Sequence, residues 1–306
     1  MLLMGAPAVL GYNASLIPSF TVIGIVLGGV YALAAVGLVL IYRVSGVLNF
    51  AHGAVAMFAT FVAYDVSTVH HNPGWLGALA AIVTGALLGF VIEWLTIRPL
   101  AGRPALVKVV VTIGWLLVLQ TAAGLKWGAT AYHQPVKLVS KNGFHLTGTD
   151  VTVGYDQLTT VVVALAFALA VAALLRYTTL GNAMRAVADN PDTARLWGIS
   201  VNRVTAASWM VGSAMAAVAG VLITPLIAFD TFSLTVVVIY AFAAALFGRL
   251  SSLPLTVVGG FLLGLAQTYP RVFSSLSGTA DLVTFVLVLL TLGVLFRPGQ
   301  HKVRVV

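Results

Sequence analysis

Nine apolar stretches, separated by short segments that carry charge, proline or glycine, constrain what this chain can fold into. Only 8% of the 306 residues are charged and 60% are hydrophobic, whereas an ordinary soluble domain has about 25% charged residues. A chain with so little charge cannot face water on all sides, which predicts a membrane protein. The stretches lie at about 18–42, 47–64, 75–97, 105–125, 158–175, 204–228, 233–248, 254–270 and 281–296.

These stretches predict an all-α fold, a polytopic transmembrane bundle of eight or nine spans in one domain, 1–306. A helical span takes about 20 residues, so nine spans leave room only for short loops and exclude a large soluble catalytic domain. The stretches at 47–64 and 233–248 are short and interrupted by polar residues or glycine, which predicts broken or short helices. The sequence has no cysteine, which excludes disulfides and thiolate chemistry.

The placement of lysine and arginine predicts the orientation. If every stretch crosses the membrane and the N-terminus lies outside, twelve cations fall on the cytoplasmic side and four outside, as the positive-inside rule requires. The net charge of +8 therefore reflects topology rather than a nucleic-acid partner. The predicted inner cations are Arg43, Arg98, Arg103, Lys108, Arg176, Arg185, Arg195, Arg203, Arg249, Arg297, Lys302 and Arg304, and the outer ones are Lys126, Lys137, Lys141 and Arg271.

The extracytoplasmic loop, 126–157, is long enough to hold structure of its own. Two β-prone runs, Val136–Ser140 and Phe144–Thr147, flank Lys141-Asn142-Gly143. Asn-Gly accepts positive φ at both central turn positions, so the pattern predicts a hairpin. A connector without a role is the alternative.

The cytoplasmic loop, 176–203, predicts two short helices joined by a turn. The first follows a break at Gly181. Asn190 suits an N-cap and Pro191 the first helical position of the second, and Gly198 suits its C-terminal stop.

This second helix carries an apolar pair with a charged rim. Leu196 and Trp197 lie beside Arg185 and Arg195, and Asp192 complements the positive end of the helix dipole. Such an arrangement is typical of a docking surface. The alternative is an amphipathic helix on lipid headgroups, for which tryptophan and arginine are equally suitable.

Polar side chains within the spans are candidates for function because they are costly there. Asn49 and His52 lie in the short second stretch next to Gly53, where an unwound helix would free backbone groups to line a pathway; a tight contact between helices is the alternative. Thr112 and Gln120, on roughly one helix face, could line the same cavity or hydrogen-bond to a neighbouring helix. A metal site is not expected, because this span has no second ligand at suitable spacing.

Two acidic residues lie near span ends. Glu93 can pair with Lys108 across antiparallel spans or reach Arg98, five positions later. We interpret these contacts as structural, and a role in gating is the alternative. Asp281 begins the last span, where the positive end of the helix dipole stabilises its negative charge.

Several motifs resemble those of one transporter family. The segment DTARLWG, 192–198, is similar to the E-A-A-x-x-x-G coupling motif of ABC importer permeases and retains Ala194 and Gly198, with Asp192 in place of Glu and Thr193 in place of the first Ala. The longer string around it resembles the version in branched-chain amino acid permeases. Further similarities to that family are LNFAHG at 48–53, RPL at 98–100, VTIG at 111–114, GGFLLG at 259–264 and FRPG at 296–299.

The resemblance covers about residues 20–299 and implies the integral membrane subunit of an ATP-driven importer in the bacterial inner membrane. It implies a second homologous permease, two cytoplasmic ATPases and an extracytoplasmic substrate-binding protein as partners, besides membrane lipid. No G-x-x-x-x-G-K-[ST] loop occurs in the sequence, so ATP and Mg²⁺ are expected on the ATPase and no cofactor in this chain. The residues implied in ATPase coupling are Arg185, Asn190, Asp192, Ala194, Arg195, Trp197 and Gly198.

Three alternatives stay open. The same machine could import urea, short amides or another small solute instead of branched-chain amino acids. An ion-coupled secondary transporter would need carboxylates deep in the bundle, whereas Glu93 and Asp281 are near span ends. An intramembrane enzyme would need a partner for His52, and the sequence offers none at evident spacing.

Overall fold

The computed structural model describes residues 17–128, 136, 138–139, 142–145, 152–227, 229–273 and 278–295. The N-terminus, the FRPG motif and the C-terminal cations Arg297, Lys302 and Arg304 lie outside the described residues. The elements are α1 (Ile17–Ser45), α2 (His52–Tyr64), α3 (Gly74–Ile92), α4 (Ala105–Trp127), β1 (Gly143–His145), β2 (Thr152–Gly154), α5 (Tyr155–Tyr177), α6 (Thr179–Asp189), α7 (Pro191–Leu196), α8 (Val201–Ile223), α9 (Thr231–Phe247), α10 (Leu253–Thr268), α11 (Pro270–Phe273) and α12 (Thr279–Leu295). Short π-helical turns, Asp65–Val69 and Glu93–Ile97, extend α2 and α3.

Each predicted apolar stretch forms a helix in the described part of the chain. Five helices are long and apolar enough to cross a membrane: α1, α3 with its π-helical extension, α4, α5 and α8. The others are shorter, and α2 has only 13 residues. A helix of 17 residues, such as α9, is about 25 Å long, less than the hydrocarbon core of about 30 Å. The prediction of a polytopic helical bundle with short helices is confirmed.

Two helices form the centre of the bundle. In the apolar 18-residue segments of α1 and α8, 83% and 78% of the positions are buried inside the bundle, against 11% in α4 and 22% in α5. α1 packs against α5, α8, α9 and α10. Its contact with α10 is so close that a Cβ on Gly264 would lie 2.3 Å from the carbonyl oxygen of Gly24, which is the close helix approach that small residues permit.

The chain between α1 and α2 is not helical over residues 46–51, and we call it the unwound segment. His52, the first residue of α2, contacts Ala34, which lies eleven positions before the end of α1. That separation is roughly 16 Å along the helix axis, a distance that six extended residues can cover. The chain therefore runs back along α1 and turns just before α2, where the His52 amide donates to the Asn49 carbonyl at 3.2 Å, so α2 begins well inside the bundle.

Loops predicted to share a side of the membrane lie at the same end of the bundle. Ser45, Arg98, Lys108 and Arg195, all predicted inner residues or their neighbours, line one cavity. At the opposite end, Lys126 pairs with Asp65 at 3.0 Å. This grouping agrees with alternate crossing by successive stretches. We call the end that carries α6 and α7 the coupling end.

The predicted hairpin in the loop 126–157 is wrong in its turn and its pairing. Gly143, predicted in the turn, lies in β1 and pairs with Gly154 of β2 in an antiparallel register. A Cβ on Gly143 would lie 2.3 Å from the carbonyl oxygen of Val153, so the glycine is needed for close strand approach. Of the predicted turn, Lys141 lies outside the described residues.

Candidate functional site

The first helix of the loop 176–203, which we call the coupling loop, is anchored to the bundle. α6 buries Met184 and Val187, so it lies across the coupling end rather than in solvent. Its N-cap is Thr178, whose hydroxyl accepts a hydrogen bond from the Gly181 amide at 3.0 Å. The predicted break at Gly181 is therefore wrong: the break is at Thr178, and Gly181 is inside α6. Gly181 permits the sharp bend, since a Cβ there would lie 2.3 Å from the Leu174 carbonyl oxygen.

The second helix, α7, has the predicted caps. The Asn190 side chain accepts hydrogen bonds from the amides of Asp192 and Thr193, both at 2.9 Å, and Pro191 follows as the first helical residue. Gly198 ends the helix with φ +76°. The amide of the next residue, Ile199, donates to the Ala194 carbonyl at 3.0 Å, a closure that requires a left-handed residue at Gly198.

α7 presents an apolar pair to the outside of the chain. Leu196 is 88% exposed and Trp197 is 82% exposed, whereas Ala194 is buried and holds the helix against the bundle. Arg195 forms an ion pair with Asp192 at 2.6 Å. Arg185 on α6 is exposed as well. The coupling loop thus combines a rigid, capped backbone with an exposed aromatic and aliphatic surface bordered by charge.

A second cluster of predicted residues lies inside the bundle, where the unwound segment meets α2. Asn49 is fully buried, and His52 is 1% exposed. The His52 Nε2 atom donates to the Ala34 carbonyl at 2.9 Å. Among the described residues, neither polar atom of the Asn49 side chain has a hydrogen-bond partner, and the same holds for His52 Nδ1. Buried polar atoms without a partner cost about 1–3 kcal/mol each, so their retention requires an explanation.

Thr112 of α4 attaches the unwound segment to the bundle. Its hydroxyl accepts a hydrogen bond from the Phe50 amide at 3.1 Å and lies 3.4 Å from the Leu48 carbonyl. Thr112 is fully buried. Gln120, two turns later on α4, is half-buried. Thr112 therefore contacts the backbone on both sides of Asn49, which places it in the same cluster as Asn49 and His52.

Glu93 is paired, but not with Lys108. The Arg98 guanidinium lies 2.9 Å from the Glu93 carboxylate, whose side chain is 2% exposed. Lys108 instead donates to the Ala101 carbonyl at 3.0 Å. The π-helical turn between Glu93 and Arg98 places the two side chains together, so of the two predicted pairings the shorter-range one forms.

A tyrosine pair was missed by sequence reasoning. The rings of Tyr31 and Tyr240 stack at 4.9 Å, the Tyr31 hydroxyl donates to Gln267, and the Tyr240 hydroxyl donates to Asp281 at 2.8 Å. Asp281 lies in the first turn of α12 as predicted. The sequence signals these four residues only as polar groups within or next to an apolar stretch.

The family described as "Branched-chain amino acid transport system / permease component" matches residues 20–295. The chain is 32% identical to the high-affinity branched-chain amino acid transport system permease protein LivH of Escherichia coli (strain K12), over 92% of this chain and 96% of that protein.

Two further relatives extend the similarity. The permease protein BraD of Pseudomonas aeruginosa, of the same description, is 32% identical with the same coverage. A probable branched-chain amino acid transport permease protein LivH of Methanocaldococcus jannaschii is 28% identical over 85% of this chain and 83% of that protein. From its helical bundle and from these matches along nearly its whole length, the chain belongs to the family of branched-chain amino acid transport system permease components.

Proposed function

We propose that this chain is the membrane-spanning subunit of an ATP-driven importer that moves branched-chain amino acids across the bacterial inner membrane. The partners are a second homologous permease, two ATPases that bind ATP and Mg²⁺, and an extracytoplasmic substrate-binding protein. The N-terminus lies outside and the coupling end faces the cytoplasm, in accordance with the positive-inside rule. The names of LivH and BraD support the substrate class.

The observation that carries the coupling role is the exposed Leu196–Trp197 pair on a helix with both ends capped. Two large apolar side chains at more than four-fifths exposure are unfavourable in water, and their fixed position on α7 suits insertion into a groove of a partner. Arg185, Arg195 and Asp192 supply a polar rim, as in many interfaces between proteins. Asn190, Ala194 and Gly198 act by holding α7 in place.

Trp197→Ala tests this role, and Trp75→Ala is its matched control. Both tryptophans are exposed, at 82% and 64%, but Trp75 begins α3 at the opposite end of the bundle. A buried interface tryptophan contributes about 2 kcal/mol or more, so Trp197→Ala should weaken ATPase binding by roughly 30-fold or more. Trp75→Ala should leave it unchanged. Equal binding by the two variants would contradict the docking role.

Asn49, His52, Thr112 and Gln120 are the residues that we assign to the translocation pathway. The buried amide of Asn49 and the Nδ1 atom of His52 supply hydrogen-bonding groups inside the bundle, next to the N-terminus of α2. The positive end of a helix dipole attracts carboxylates, and every free amino acid carries one. Thr112 maintains the non-helical backbone on which this arrangement depends.

Asn49→Leu separates a pathway role from a structural one. Replacement by an apolar residue of similar size removes two unpartnered polar atoms, so the unfolding temperature should stay equal or rise, while ATP-driven uptake falls with ATPase binding intact. Asn72→Leu, at an exposed position, should not alter uptake. If Asn49→Leu lowers the unfolding temperature and the uptake together, Asn49 only supports the structure.

Uptake by the reconstituted complex tests the substrate class. Labelled leucine, isoleucine and valine should accumulate in vesicles only with ATP and the substrate-binding protein. Accumulation of urea or a short amide, with none of these amino acids, would refute the branched-chain assignment, and uptake without the ATPase would indicate a gradient-driven transporter.

A further inference from the structure

A cavity of about 150 Å³ lies at the coupling end, between the turn after α3 and the coupling loop. This volume is far above the roughly 10–15 Å³ that one water molecule needs, so the cavity can hold a polyatomic group. On one side it is lined by Glu93, Arg98 and Lys108, and on the other by Arg195 and Asn202. Its position is distinct from the exposed Leu196–Trp197 pair.

The side chains that line this cavity carry a net positive charge, which favours the binding of an anion. Three cationic side chains and one carboxylate contribute to its wall. Arg98 is paired with Glu93, and Arg195 is paired with Asp192. Lys108 has as its hydrogen-bond partner the neutral carbonyl of Ala101, so its charge is not compensated there. Ammonium and guanidinium groups arranged in this way bind phosphate oxygens through charge-assisted hydrogen bonds.

Exposed apolar side chains are close in sequence to two of the three cations that line the cavity. Trp94 and Leu95 precede Arg98 and are 54% and 53% exposed, while Leu106 and Val110 flank Lys108 and are 73% and 59% exposed. α3 with its extension and α4 are both long and apolar enough to span a membrane. Arg98 and Lys108 lie at the ends of these two helices, where a helix that crosses a membrane leaves the hydrocarbon and meets the lipid phosphates.

We propose that this cavity binds the phosphodiester headgroup of an anionic phospholipid, with Lys108 as its principal cation and Arg98 and Arg195 as supporting charges. The acyl chains lie along the exposed apolar side chains of the α3 extension and the start of α4. A lipid is favoured over an acidic segment of a soluble partner because those apolar side chains need a hydrocarbon environment. Its phosphate contacts both the turn after α3 and the coupling loop.

The test uses the complete permease–ATPase complex in nanodiscs of mixed phosphatidylglycerol and phosphatidylcholine. Native mass spectrometry after extraction counts the lipids that stay bound. We expect wild-type complex to retain phosphatidylglycerol in preference to phosphatidylcholine, and Lys108→Gln to reduce that retention about tenfold, the loss of one charge-assisted hydrogen bond. Lys108→Arg should restore it, which distinguishes a lost charge from a misfolded chain.

Arg103→Gln is the matched control, since Arg103 is an exposed cation of the same turn that does not line the cavity. It should leave lipid retention unchanged. Equal losses in Arg103→Gln and Lys108→Gln would overturn the proposal, because general surface attraction would then explain the binding. Equal retention of the two lipids would overturn it as well. Displacement of phosphatidylglycerol by added inorganic phosphate would show that the same chemistry serves a soluble anion and would refute the lipid source.

Discussion

Replacing Gly198 by alanine perturbs the coupling loop through its backbone alone. Gly198 has φ +76°, and nothing lies within 4 Å of the position that a Cβ would occupy. The cost is therefore steric strain within the residue, about 1–2 kcal/mol for a left-handed L-residue. We call the end of α7 closed when the Ile199 amide is bonded to the Ala194 carbonyl, and open when that hydrogen bond is broken. The strain lowers the ratio of closed to open molecules about 5- to 30-fold.

Two assays measure this perturbation. Hydrogen exchange of the Ile199 amide, which donates to the Ala194 carbonyl at 3.0 Å, should accelerate by the same factor in Gly198→Ala. ATPase binding to the reconstituted permease should weaken by at most that factor, because docking must first restore the closed turn. Gly198→Asn should have a smaller effect on both, since asparagine tolerates the left-handed region.

Gly102→Ala is the neutral control. Gly102 lies in a turn at the same end of the bundle, also has open space around its Cβ position, and lacks a positive φ. Equal effects of Gly198→Ala and Gly198→Asn, or a loss of binding in Gly102→Ala, would refute the reasoning from backbone strain.

Three further changes test the loop, the packing and the unwound segment. Asn190→Ala should remove the cap of α7 at a cost of about 1 kcal/mol, seen as faster hydrogen exchange of the Asp192 and Thr193 amides; unchanged exchange would contradict the cap. Gly264→Ala should destabilise the α1–α10 contact by about 1–3 kcal/mol and lower the unfolding temperature, whereas Gly293→Ala, in open space, should not. Thr112→Val should reduce uptake because the Phe50 amide loses its acceptor, and Thr112→Ser should preserve it; equal uptake by the two would exclude a role for the hydroxyl.

The helical segments could be predicted because their signals are local. An apolar stretch bounded by charge or proline specifies a buried or lipid-facing helix, and the Asn190-Pro191 start and Gly198 stop of α7 act within one turn. The sequence also showed that Asn49 and His52 are polar residues in a short stretch next to a glycine. The type and approximate bounds of these elements therefore follow from neighbouring residues alone.

The remaining features depend on residues that are far apart in the chain. The unwound segment is held by Thr112, more than sixty positions away, and Gly143 pairs with Gly154 instead of forming a turn. Tyr31 meets Gln267 across more than two hundred positions. Apolar pattern and turn propensity carry no information about such partners.

The sequence by itself determined a polytopic helical membrane protein, the charge asymmetry of its loops and the capped helix of its coupling loop, because hydrophobicity, charge placement and capping act over a few residues. Only the tertiary structure decided that α2 begins inside the bundle, that Glu93 pairs with Arg98, and that Lys108 is left to line a cavity with Arg195. Each of those outcomes is a choice among competing partners, and packing in three dimensions makes that choice.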